Sequence, residues 1–330
     1  PLATPMNRIG IRDLLIDESG TLWIASYNGL LMKDEQSEVL YDESNSLPDK
    51  RIRRIISDNG FLWIATRGGL FKFRDGQVVE KFSQQNGLGS DYIMSLIKTN
   101  DQKLVIGTKD GGLNILSSDG TVSVHYPGES PEGWLIFNVS IDKNGHIWCA
   151  TNTGIYIFHD NEFRKISTES GLPTDTFFDI VQDNKGNTWT TSHLGILRLE
   201  NANLLDYLLE KEELLKFDQF DESDGMRTRE CTAATPFLID SEGILFVPTL
   251  GGVASINPES LRANSYIPPV HISGVTSGFE DQDYKQSVVF DPGPNQFEIQ
   301  FASLSYLAPD KIRYQYRMRG FEEEWINTSE

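Results

Sequence analysis

The sequence predicts an all-β chain: a β-propeller with six repeats visible, six- or seven-bladed, followed by part of an Ig-like β-sandwich. Three observations carry that prediction. A phrase made of a D-x-x-G turn, an aromatic among β-formers, a Thr or Ser, and a G-L pair returns six times. Its anchor column runs Trp23, Trp63, Val105, Trp148, Trp189 and Phe246, with gaps of 40, 42, 43, 41 and 57 residues. Four gaps near that length fit a four-stranded blade of about 40–45 residues, one unit copied and stacked. The runs between turns are short and rich in β-branched and aromatic residues, which reads as strand and leaves no room for helix pairs.

Each repeat builds in the same order. The innermost strand precedes the turn, as at Ile11 to Ile16, Ile93 to Lys98, Ile136 to Ile141, Phe177 to Gln182 and Thr235 to Ile239. In the turn, Asp or Asn accepts local backbone hydrogen bonds and Gly tolerates positive φ, which closes a tight hairpin. The second strand carries the tryptophan, whose ring is expected to fill the seam between neighbouring blades. The third strand begins at Gly29-Leu30, Gly69-Leu70, Gly112-Leu113, Gly154-Ile155, Gly195-Ile196 and Gly252-Val253. The outermost strand is more polar. Repeat three departs from the pattern, with Gln102 for the turn glycine and Val105 for the tryptophan.

The long last gap holds Asn203 to Leu215, whose leucines recur at helical spacing and predict a short amphipathic helix on a blade edge. After Pro258 the repeat stops. Residues 1–263 are therefore read as propeller, and 264–330 as a linker with Pro268-Pro269 and the start of a second β domain. In that domain Phe297 to Phe301 and Ile312 to Met318 alternate apolar and polar residues, as antiparallel strands do. Glu330 follows too soon for a sandwich of about 100 residues, so the chain is expected to be a piece of a longer protein.

A net charge of −19, from 29 basic and 48 acidic residues, repels nucleic-acid phosphates and anionic lipid headgroups. No run approaches the roughly 20 apolar residues of a membrane span. Cys149 and Cys231 lie in different blades and read as buried free thiols. Catalytic signatures such as G-x-S-x-G, the Walker loop and H-E-x-x-H are missing. The five histidines fall at unrelated places in the blade, and the D-x-x-G turns lack the ligand spacing of an EF-hand, so no metal and no cofactor are expected.

The phrase D-x-x-G-x-L-W-I-x-T-x-x-G-L, preceded by segments such as Gly171 to Phe177 or Gly87 to Ile93, resembles the two-component regulator propeller repeat. The last repeat, with Asp224-Gly225-Met226 and Gly251 to Pro258, resembles that family's terminal blade. The stretch Asn295 to Tyr306, with Tyr314, Tyr316, Gly320 and Trp325, resembles the start of the Y_Y_Y domain. Such repeats form sensor regions of bacterial hybrid histidine kinases and some diguanylate cyclases. The resemblance implies a non-catalytic periplasmic domain of an inner-membrane receptor, homodimeric in the full protein and joined to the membrane only by a segment outside this chain. It also implies a small-molecule or oligosaccharide signal, relayed through the Ig-like module. Two other readings stay open. One is a propeller glycosidase or polysaccharide lyase, which needs two carboxylates about 5–10 Å apart at the channel mouth. The other is a protein-interaction scaffold.

In a propeller, loops from the outermost strand to the next innermost strand share a face with loops between second and third strands, near the central channel. Turn residues that serve geometry alone are Gly, Asn, Asp and Ser. Tyr27, Arg51, Arg67, Tyr92, Lys109, Trp134, His193, Arg227 and Arg229 exceed that need, and predict a basic, aromatic-lined mouth on an acidic body. Trp134 falls where other copies carry Asp49, Asp91 and Asp175. It either stacks on a ligand ring or folds down to cap its blade.

Overall fold

Each repeat closes as an antiparallel meander, because its apolar runs are short and its turns carry glycine at positive φ. The computed structural model describes residues 10–208, 215–261, 269–278, 280–283, 289, 296–303, 314–321 and 325–328. Two compact units emerge, Pro1–Glu259 and Ser260–Glu330.

In the first unit, β1 (Ile11–Ile16), β2 (Leu22–Ser26), β3 (Gly29–Lys33) and β4 (Glu38–Tyr41) form one four-stranded sheet in chain order. The second blade is β5 (Ile52–Asp58), β6 (Phe61–Thr66), β7 (Gly69–Arg74) and β8 (Gln77–Phe82). The third is β9 (Ile93–Lys98), β10 (Leu104–Thr108), β11 (Leu113–Leu116) and β12 (Val122–His125). The fourth is β13 (Ile136–Ile141), β14 (Ile147–Thr151), β15 (Ile155–His159) and β16 (Glu162–Ile166). The fifth is β17 (Asp179–Gln182), β18 (Asn187–Ser192), β19 (Gly195–Glu200) and β20 (Asp218–Phe220). Among the described residues the sixth has three strands, β21 (Leu238–Ile239), β22 (Leu245–Thr249) and β23 (Gly252–Ile256). Inner strands stand side by side in chain order, β1 against β5, β5 against β9, β9 against β13 and β13 against β17. The chain is a β-propeller.

The core sits in the seams. Trp23 packs with Ile55, Leu62, Ile64 and Phe71 of the second blade, and Trp63 with Ile93, Leu96 and Ile106 of the third. Val105 packs against Val139 and Cys149, and Trp148 against Ile180 and Leu197. Burying one such aromatic stabilises by roughly 1.5–3 kcal/mol, so the repeated column is the main adhesive between blades. The G-L glycine serves a different end. Gly69 has φ +123° and a Cβ there would stand 2.6 Å from the Phe82 carbonyl oxygen, so only glycine admits the outer strand.

The end repeats differ from the rest. Leu14 occupies the position where Ile55, Leu96, Val139 and Ile180 pack against the preceding blade, yet it is 59% exposed. At the other end Phe246, in the tryptophan column, is 37% exposed and Val253 is 70% exposed. Residues 1–9, which precede β1, lie outside the described residues.

Helix α1 (Asn201–Leu208) begins two residues earlier than the leucine spacing implies, and residues 209–214 lie outside the described residues. Tyr207 and Leu208 pack against the seam of blades four and five, and the Tyr207 hydroxyl meets Ser170 Oγ at 2.8 Å. In the second unit, β24 (Val270–Ser277) pairs antiparallel with β25 (Glu280–Asp281) and β26 (Phe297–Ser303), while β27 (Tyr314–Tyr316) pairs with β28 (Ile326–Thr328). The Tyr314 hydroxyl accepts the Ser303 N–H at 3.0 Å, and its ring meets Phe301 edge-on. The expected strand from Ile312 is described only over Tyr314–Tyr316.

Candidate ligand site

The inner strands do not run evenly. In each of the first four blades the register to the second strand slips once, between Ile11 and Asp13, Ile52 and Arg54, Ile93 and Ser95, and Ile136 and Asn138. A bulge leaves one residue out of the ladder and re-aims its side chain. The bulged residues are Arg12, Arg53, Met94 and Phe137, with Phe178 at the same place in the fifth repeat. They lie at the strand ends that meet the turns between second and third strands.

Around Arg12 and Arg53 the turn residues close in. Tyr27 is anchored by its N–H to the Gly10 carbonyl. The Arg12 guanidinium lies over the Tyr27 ring, 3.9 Å from its centroid, and Arg67 lies 5.1 Å from the same centroid. The Tyr27 hydroxyl accepts from Arg53 Nη1 at 2.9 Å and from Arg67 Nη2 at 3.3 Å. Arg67 also lies 4.9 Å from the Tyr92 ring, and Lys109 Nζ 5.9 Å from it. Burial alone would raise the Tyr27 hydroxyl pKa, but Arg53, Arg12 and Arg67 together bring it below its ordinary value. Burial, with the like charges of Arg53 and Arg67, lowers that of the Arg12 guanidinium.

Three guanidinium groups share this space, and among the described residues no carboxylate is paired with any of them. Nε of Arg12, Arg53 and Arg67 is buried without a hydrogen-bond partner. Leaving such donors unmatched costs about 1–3 kcal/mol each. The opposite arc of the mouth is apolar: Met94 is buried, and the half-buried rings of Phe137 and Phe178 meet edge to face at 5.4 Å.

One layer deeper lies a polar belt formed by Asp13, Arg54, Ser95, Asn138 and Asp179. Arg54 Nη1 donates to the carbonyl of Arg53 at 3.1 Å and that of Arg12 at 3.5 Å, which braces the backbone beneath both bulged arginines. Its charge faces Asp13 and Asp179, and burial still lowers its pKa. Ser95 Oγ donates to Asn138 Oδ1 at 2.6 Å, and Asn138 Nδ2 donates to Asp179 Oδ1. Burial raises the carboxyl of Asp13, and that of Asp179 to about 6.

Of the residues singled out in the sequence, Tyr27, Arg67, Tyr92 and Lys109 are brought together here. Arg51 stands near Tyr92 but is engaged by Asp49, Nε to Oδ1 at 2.9 Å. Arg229 is paired with Glu222 at 3.1 Å, while Arg227 and His193 are exposed on the turns of the fifth and sixth repeats. Trp134 does not stand on the rim. It is 5% exposed, edge-on to Tyr156 at 5.2 Å and to Phe163 at 5.4 Å, and caps its blade. Arg12, Arg53, Phe137 and Phe178 escape a reading confined to loops. Their signal is the column of second residues in the inner strands, which reads Arg, Arg, Met, Phe, Phe.

A groove of about 430 Å³ opens at the far end of the blades, lined by Asp17, Trp23, Tyr41, Phe61 and Phe73. Of its carboxylates, Asp17 accepts from Ser19, Thr21 and Trp23, and Asp75 is paired with Arg74 at 3.5 Å. Among the described residues no group of three His, Cys, Asp or Glu side chains could hold a metal. Cys149 and Cys231 are buried free thiols, and burial pushes that of Cys231 up to about 12.

No family model matches the chain. The histidine kinase P4 of Formosa agariphila is 22% identical over 353 residues, a match that spans 96% of this chain and 24% of the kinase. The extracellular domain of a hybrid two-component system from B. thetaiotaomicron superposes with a TM-score of 0.70 at 22% identity, covering 97% of this chain and 45% of that one. The extracellular domain of a one-component system from the same organism gives 0.58 at 18% identity, with the same coverage. A virginiamycin B lyase from Staphylococcus aureus with quinupristin gives 0.59 at 12% identity, covering 79% of this chain and 85% of that one. The chain thus shares its fold with the extracellular domains of two-component systems. It spans about a quarter of the kinase it matches and under half of each extracellular domain.

Proposed function

We propose that this chain is a non-catalytic, extracellular ligand-sensing domain of a membrane-bound two-component receptor. It takes a small molecule at the channel mouth. The observation that carries this reading is the convergence of Arg12, Arg53 and Arg67 on Tyr27 with unmatched donors. A purely structural cluster would hold a carboxylate there. Support also comes from the likeness to extracellular domains of hybrid two-component systems and to a histidine kinase along nearly the whole chain. The output kinase and the membrane segment belong to the part of such a receptor that this chain does not span. Among the described residues no helix is long and apolar enough to cross a membrane. In this reading the receptor is a homodimer, the Ig-like module relays the bound state, and oligosaccharide fragments are the first ligands to try.

The test is a thermal-shift screen of the purified chain against digests of polysaccharides and small organic acids, followed by mass spectrometry of each hit. A ligand that raises the melting temperature saturably and is recovered unchanged supports the receptor. Conversion of that ligand by the chain alone would overturn the non-catalytic reading and favour the lyase class.

A further inference from the structure

Resting on the sensing reading for its biological meaning, the mouth's chemistry narrows the class of ligand. We infer that the site takes a compact oxyanion, a carboxylate or a sulfate, held by Arg12, Arg53 and Arg67, on a molecule whose ring or apolar face lies against Phe137 and Phe178.

Several independent features lead there. The chain is strongly acidic, yet at this place three guanidinium groups stand without a counter-charge among the described residues. Arg53 is 5% exposed, so its unmatched Nε is a desolvated donor and not a solvated surface charge. Two of the three also donate to one tyrosine oxygen, which fixes their planes and leaves other N–H groups free. A guanidinium presents five donors in a rigid fork that matches a carboxylate or sulfate, and such charge-assisted bonds are about twice as strong as neutral ones. Arg12 and Arg53 hold the bulge place in the first two inner strands, and the phenylalanine pair holds it in the fourth and fifth, so the two parts of the mouth suit different ends of one molecule. A neutral sugar would leave the three charges uncompensated.

The cage is also under strain from its own charge. With nothing bound, Arg12, Arg53 and Arg67 repel one another in a partly desolvated place. Removing one of them relieves that repulsion and at the same time removes a ligand contact. Stability of the empty protein and affinity for an anion therefore move in opposite directions, which a merely structural cluster does not do.

The experiment uses the whole chain and four probes at constant ionic strength: benzoate, benzenesulfonate, benzamide and inorganic sulfate. Binding is read by calorimetry and melting by scanning fluorimetry. Benzoate or benzenesulfonate is expected to bind saturably, the preferred one telling carboxylate from sulfate, with neutral benzamide at least about tenfold weaker. Arg67→Gln should weaken anion binding about tenfold while leaving the melting temperature of the empty protein unchanged or higher. Tyr27→Phe, a milder change, should weaken it less. Equal binding of benzamide, or anion affinity unaltered in both variants, would overturn the assignment. The two readings fail separately. If the anion binds and the variants respond, but a full-length receptor reporter stays silent to anionic ligands, sensing fails and the site stands. If the reporter answers a neutral ligand and ignores Arg67→Gln, the cage assignment fails and sensing stands.

Discussion

Asp179 accepts the backbone N–H of Phe237 at 2.7 Å, carrying a buried carboxylate from the fifth blade to the sixth. Burial raises its carboxyl to about 6, against the hydrogen bonds from Phe237 and Asn138 and the charge of Arg54. A raised carboxyl binds its proton more tightly in the native state than in the unfolded chain. Its contribution to stability is therefore greatest below about pH 4 and declines as pH rises through about 6, by on the order of 3 kcal/mol in all. The turn aspartates behave oppositely. Partial burial works against ionisation of Asp17, Asp142 and Asp183, but their hydrogen bonds hold each below its ordinary value. What they contribute is present above about pH 4 and lost as pH falls. Urea unfolding of the wild type and Asp179→Asn between pH 4 and 7 separates the two effects. The wild type should lose stability relative to the variant across pH 4–6, and a constant difference would show that Asp179 ionises normally.

Trp63 is the exception in its column. The indoles of Trp23, Trp148 and Trp189 donate to Asp17, Asp142 and Asp183 at 2.7, 3.3 and 2.8 Å, always six residues upstream. In the second blade the hairpin is one residue shorter, so Asp58 holds that place in the strand register; it is engaged by Lys98 and Asn59, and Trp63 Nε1 is buried without a partner. Trp189→Phe removes the indole donor from Asp183 and should cost about 1 kcal/mol more than Trp63→Phe, which removes no hydrogen bond, or about 2–4 °C in melting temperature. Equal losses in the two variants would show that the indole–carboxylate bond adds nothing to stability.

Trp134 offers a clean separation of packing from binding. Because its Nε1 is buried with no partner, Trp134→Phe gives up apolar area but no hydrogen bond, and should cost little. Trp134→Ala empties a packed site beside Tyr156 and Phe163, and should cost about 3–5 kcal/mol. Neither change should alter affinity for benzoate in the fraction that remains folded. A loss of affinity in Trp134→Phe at unchanged stability would return this ring to the ligand face.

The period, the order of strands and the glycine at each third strand are legible in the sequence, because turn chemistry and hydrophobic runs are local properties. The tryptophan column is legible for the same reason. The mouth is legible only by half. Tyr27, Arg67, Tyr92 and Lys109 stand out as oversized for turns, whereas Arg12 and Arg53 look like ordinary strand residues. What brings the latter to the mouth is a one-residue slip in strand pairing, and alternation of apolar and polar residues does not report a slip. Trp134 is legible in position but not in direction. Whether a loop indole lies outward or inward depends on Tyr156 and Phe163, both more than twenty residues away. Asp13 and Asp179 read as polar strand positions, and only the assembled ring shows Asp179 buried and Asp13 half-buried.

The deep belt has one more result. Ile55 N–H donates to Asp13 at 2.9 Å and Val139 N–H to Ser95 Oγ at 3.0 Å, as Phe237 N–H does to Asp179. Three borders, between the first and second, third and fourth, and fifth and sixth repeats, are thus sewn by a main-chain amide held in a neighbour's side chain. Across those borders the sheets are coupled by directional bonds as well as greasy contact, and sliding one past the next would strand a desolvated amide. Such a hub resists shear, so a disturbance at the axis is shared by paired sheets and not absorbed by one.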